Sequence, residues 1–93
     1  MDREFQITTL WQKLDFARSA NPTNVCNGIT DMKSVLRLLN ADSSDLIDPL
    51  DTAFEVADVA LGFGEIKLEG PYANQVRNLL DDFEKRARNH FRI

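Results

Sequence analysis

Ninety-three residues with 43% apolar and 28% charged side chains make one globular domain and exclude an intrinsically disordered chain. No apolar run approaches the roughly 18 residues that a membrane-spanning helix needs. The net charge of −4 argues against a nucleic-acid ligand, which calls for a basic footprint.

Charged residues interleave with apolar ones through "MDREFQITTLW", a pattern that argues against a secretory leader. The single cysteine, Cys26, has no internal disulfide partner, so a reduced, cytoplasmic setting is expected. The charge is unevenly spread. Residues 38–66 carry seven acids and no base, while the flanking segments are slightly basic. Such a distribution bears on partners rather than on fold.

Ile7, Leu10, Leu14 and Ala17 recur at helical spacing and predict a first helix over 3–19. Phe5 and Phe16 fall on its opposite side, about three turns apart, and form a second aromatic spot. Asn21-Pro22 reads as a cap and first helical position. Val25, Ile29, Met32, Leu36 and Leu39 then step by four and three residues, predicting a second helix over 23–40. Gly28 weakens it by about 1 kcal/mol relative to alanine. An alternative is a loose first turn with the firm helix starting after Thr30.

Asp48-Pro49 predicts the start of a third helix over 49–61, with Ser44 as the cap of an earlier start that places Pro49 near the first turn. Leu50, Phe54, Ala57 and Leu61 form its core face; Val56 and Val59 lie off that face. Asp51, Glu55 and Asp58 share another face, an acidic stripe suited to steering a basic partner. Gly62 is expected to supply the left-handed residue that ends the helix. Gly70-Pro71 opens a fourth helix over 71–90, whose core face holds Tyr72, Val76, Leu79, Leu80, Phe83 and Ala87. Asp81–Lys85, Asp82–Arg86 and Glu84–Arg88 are acid-before-base pairs at i,i+4.

Four amphipathic segments with short connections predict an all-α fold, a small antiparallel four-helix bundle. The connection at 62–70, within "ALGFGEIKLEGPY", is too apolar for a solvated loop. It has two readings. If Ile66 and Leu68 tuck onto the bundle, it is a plug; if they and Phe63 are exposed, it is an interface.

Catalytic chemistry finds little support. His90 is the lone histidine, without an orienting carboxylate at any suggestive spacing. A lone helical cysteine such as Cys26 is ordinarily a small core residue. The acids between 42 and 58 step by three, without the alternate spacing and sixth-position glycine of a calcium loop. "GFGE" lacks the Gly-Lys-Ser/Thr end of a phosphate loop. No enzymatic activity, metal or cofactor is expected.

The expected function is therefore protein–protein interaction by a non-enzymatic acidic protein of inhibitor, immunity or regulatory type. The candidate contact residues are Phe63, Ile66, Leu68, Asp51, Glu55, Asp58, Phe5 and Phe16. The bundle's size resembles that of small helical immunity and inhibitor proteins, in architecture alone. The alternative is a homo-oligomer that binds a small ligand between subunits, with the 62–72 segment at the seam.

Overall fold

A computed structural model of the chain describes residues 2–93. Its elements in order are α1 (Arg3–Ala17), α2 (Pro22–Leu38), α3 (Ser44–Gly62) and α4 (Gly70–Phe91). Short connections force successive helices to turn back on one another, and α1 packs on α2, α2 on α3 and α3 on α4. The result is the antiparallel four-helix bundle that the periodicity predicts, 39 × 21 × 18 Å in extent.

The helix starts follow local chemistry. The Asp2 side chain accepts from the Glu4 N–H at 3.1 Å, and the Asn21 side chain from the Thr23 N–H at 2.9 Å, with Pro22 opening α2. The ends of α2 and α3 share one solution. At α2, the Ala41 N–H donates to the Leu36 carbonyl at 2.8 Å and the Asn40 N–H to the Arg37 carbonyl at 3.1 Å, with Asn40 left-handed at φ 54°. At α3, Glu65 donates to Ala60 at 3.0 Å and Gly64 to Leu61 at 2.9 Å. Both are Schellman closures that satisfy carbonyls otherwise left without partners. The left-handed residue after α3 is thus Gly64, at φ 78°, and not Gly62, which remains helical. The helix runs one residue further than expected, to Gly62, and Phe63 caps it at φ −89° and ψ 5° before the turn.

The third helix also begins earlier than Pro49. Its first turn closes at Ser43, whose carbonyl accepts from the Leu46 and Ile47 N–H groups at 3.0 and 2.9 Å. The early start buries Leu46 and Pro49, residues that a loop would leave wet. Pro49 sits inside the helix and cannot donate to the carbonyl of Asp45, four residues back. Arg86 of α4 supplies the missing donor. Its Nη1 donates to the Asp45 carbonyl at 3.0 Å and lies 3.3 Å from Asp45 Oδ1, while its Nη2 holds Asp82 at 3.1 Å.

Leu10, Val25, Ile29, Met32, Leu36, Leu46, Leu50, Leu80 and Phe83 form the fully covered centre of the core. Most positions expected on the core faces are buried, while Ile7, Leu39, Phe54, Leu61 and Leu79 are half-buried at the core's margin. Tyr72 is neither; it is about half exposed in the first turn of α4. Gly28 has a packing role in an unbroken α2. A Cβ there would lie 2.7 Å from the Cβ of Ala17 and 3.0 Å from its Cα, so the two helices meet at a distance that no side chain fits. Thr30 caps nothing; its hydroxyl donates to the Cys26 carbonyl at 2.9 Å within the helix.

Two outcomes test this packing. Gly28→Ala improves helix propensity yet lowers the unfolding free energy by about 1–2 kcal/mol net, because the overpacked contact outweighs the propensity gain. Urea unfolding monitored by circular dichroism reads it. In a double-mutant cycle, Arg86→Met destabilises more with Pro49 present than in the Pro49→Ala background, where the new N–H can serve Asp45, by a coupling of about 0.5–1 kcal/mol.

Candidate association surface

The connection from α3 to α4 is held at both ends. The Schellman turn fixes Phe63–Glu65. Leu68 is buried, at 3% exposure, and its N–H donates to the Ala20 carbonyl in the α1–α2 connection at 2.6 Å. The chain bends at Ile66 and Lys67, so the strand-like alternation of "EIKLE" is not realised. The bend turns Ile66 outward at 87% exposure, and Phe63 is 76% exposed. The two readings of the segment therefore divide by residue: Leu68 is the plug, and Phe63 and Ile66 are free surface.

The outer face of α3 leads into this surface. Val59 lies one turn before Phe63 and is itself 44% exposed. Glu55 and Asp58 flank it, exposed and without a cationic partner among the described residues, as is Glu65 on the connection. Asp51 belongs to the same helical face but is engaged by Lys33 of α2 at 2.6 Å. The acidic stripe is therefore partly neutralised from within, and its unpaired portion is Glu55–Asp58. Phe5 and Phe16 are exposed on α1, which packs on α2 and not on α3.

A groove that sequence reasoning missed lies next to the connection, at the upper end of the α1–α4 seam. It encloses about 270 Å³ and is lined by Ala17, Ala20, Leu68, Ala73, Val76 and Leu80, with Arg18, Ser19 and Arg77 at its edges. Its only sequence signal is the small size of Ala17, Ala20 and Ala73, which leaves space between larger neighbours.

Below the groove, α1 and α4 are joined by long polar side chains. The Arg18 guanidinium forks onto Asp81 at 2.6 Å and Glu84 at 2.8 Å. Arg88 donates to Glu84 at 2.9 Å and lies over the Trp11 ring, 4.7 Å from its centroid. Of the three expected i,i+4 pairs, Asp82–Arg86 and Glu84–Arg88 form. Asp81 instead turns to Arg18, which offers a fork that spans two helices. Hydrogen bonds from Arg88 and then Arg18 hold the Glu84 carboxyl below its ordinary value.

Cys26 is buried in α2 with its Sγ 4.0 Å from the Phe54 carbonyl of α3. Burial, with the Asp58 carboxylate adding to it, pushes the thiol above its usual value and away from nucleophilic character. His90 is exposed near the end of α4, edge-on to Phe91 at 5.0 Å between centroids. The first turns of α2 and the last turns of α4 lie at opposite ends of the bundle, so Cys26 and His90 are not brought together. No cluster of three or more side chains able to ligate a metal occurs among the described residues. No described helix is long and apolar enough to cross a membrane.

Comparison of the chain with known protein families, with curated proteins and with solved structures finds no match.

The depressed Glu84 value gives a pH signature. Stability from this cluster is fully present above the ordinary glutamate value of about 4.3 and is lost as pH falls through the lower folded value. Thermal unfolding across that acid range should show a decline in the native protein that Glu84→Gln flattens. Equal acid limbs in the two proteins would contradict the assignment.

Proposed function

We propose that this chain is a non-enzymatic binding protein that engages another protein through the outer face of α3 and the connection that follows it. One observation carries the reading. Phe63 and Ile66 are displayed at 76% and 87% exposure on a connection whose neighbouring residues are held in place. Exposing two large apolar side chains on a fixed support has a cost in water, and covering them on a partner recovers it. Aromatic residues at the centre of an interface commonly dominate its energy.

Glu55, Asp58 and Glu65 define the chemistry of the partner. Unpaired carboxylates around an apolar centre favour a surface with basic residues around an apolar pocket. In this arrangement the acids raise the association rate and select the partner, while Phe63 and Ile66 slow its dissociation. A small protein that binds this way without chemistry of its own acts by occupancy, as an inhibitor, an immunity protein or a regulator does.

Affinity capture from the native host, followed by mass spectrometry, identifies the partner. Phe63→Ala with Ile66→Ala is expected to weaken its binding at least about tenfold. Glu55→Lys with Asp58→Lys is expected to slow association and reduce its salt dependence. Both variants keep the native unfolding free energy to within about 0.5 kcal/mol, since exposed side chains are changed. Undiminished capture by both folded variants would overturn the proposal.

A further inference from the structure

The exposed connection and the unfilled groove occupy the same end of the bundle. Leu68 belongs to both: it lines the apolar groove, and it also lines a smaller cleft with Glu65, Lys67 and Tyr72 on the connection side. One molecule thus carries an apolar projection, Phe63 and Ile66, beside an apolar hollow floored by Ala17, Ala20, Ala73, Val76 and Leu80. The bend at Ile66 and Lys67 prevents Ile66 from following Leu68 into its own bundle.

The charges match in the same sense. Arg77 stands at the edge of the groove with no acidic partner among the described residues; its Nη2 meets only the Asn74 side-chain oxygen, at 2.7 Å. Asp81, one turn further along α4, is taken by Arg18. Glu65, immediately before Ile66, likewise has no cationic partner among the described residues. An unpaired acid therefore sits on the projection and an unpaired base on the hollow.

We propose that the occupant of the groove is a second copy of this chain. The connection of each protomer fills the groove of the other, with Ile66 against the alanine-rich floor and Glu65 opposite Arg77 of its partner. Because projection and hollow are neighbours on one end, a two-fold axis satisfies both at once and closes the assembly as a dimer. This inference rests on the reading of Phe63–Ile66 as an association surface and names a second copy as what that surface meets. One connection and one groove from each protomer make a contact expected to be small against the roughly 1,200–2,000 Å² of a standard stable interface, and the dimer is correspondingly weak and concentration-dependent.

Sedimentation equilibrium over about 10 µM to 1 mM tests it, a range suited to weak association. The mass is expected to rise from one chain toward two. Ile66→Ala, Glu65→Arg and Arg77→Glu are each expected to weaken dimerisation by about three- to tenfold. Mixing the Glu65→Arg and Arg77→Glu proteins restores it, because both cross-protomer contacts then pair opposite charges. A native chain that stays monomeric at the highest concentration overturns the inference, as does a dimer indifferent to both charge reversals. Neither result touches the binding of a different protein through Phe63 and Ile66, which the capture experiment reads separately.

Discussion

The anchoring of Leu68 governs the upper end of the bundle. A connection of seven residues must cross from α3 to α4, and it carries more apolar side chains than it can cover. Burying Leu68 and donating its N–H to Ala20 ties that connection to the one between α1 and α2. Once Leu68 is inside and Gly64 has turned the chain, the intervening bend leaves Phe63 and Ile66 outside. Their exposure follows from how the chain closes the bundle. Burial of one apolar residue and display of two others are consequences of the same backbone path.

The arginines of α4 and α1 do related work elsewhere. Arg86 replaces the hydrogen bond that Pro49 removes, which allows α3 to begin five residues before its proline. Arg18 and Arg88 converge on Glu84 and span a seam where the α1 and α4 backbones remain apart. Each exposed pair is worth little alone, but a shared carboxylate and a stacked tryptophan constrain several long side chains together. Within the basic run near the C-terminus, Arg86 and Arg88 are therefore committed to holding helices in register. Lys85, Arg92 and Arg77 have no acidic partner among the described residues, and of these three Arg77 borders the apolar groove.

The bundle was legible because its core faces repeat at helical spacing with little interruption, and Asn21-Pro22 and Gly70-Pro71 mark two starts locally. The errors arose where a remote partner overrides a local signal. Pro49 reads as a helix start until Arg86, 37 positions away, is known to serve the orphaned carbonyl. Gly28 reads as a weakness until Ala17 is placed against it. Ile66 and Leu68 share a strand-like parity, and only the tie to Ala20 separates their fates. The groove is the space left by three alanines from different elements, which no single stretch of sequence can announce. Asp51 looked like part of an open acidic stripe because its neighbour Lys33 comes from another helix.

Amide hydrogen exchange at Leu68 tests the anchor most directly. With its N–H bonded to Ala20 and its side chain buried, this amide should exchange slowly, close to the α1–α2 end of the bundle that holds it, while the amides of Ile66 and Lys67 exchange fast. A Leu68 amide that exchanges as fast as those two would mean that the connection is not tied down. Phe63 and Ile66 would then lose the fixed support on which the account of this surface depends.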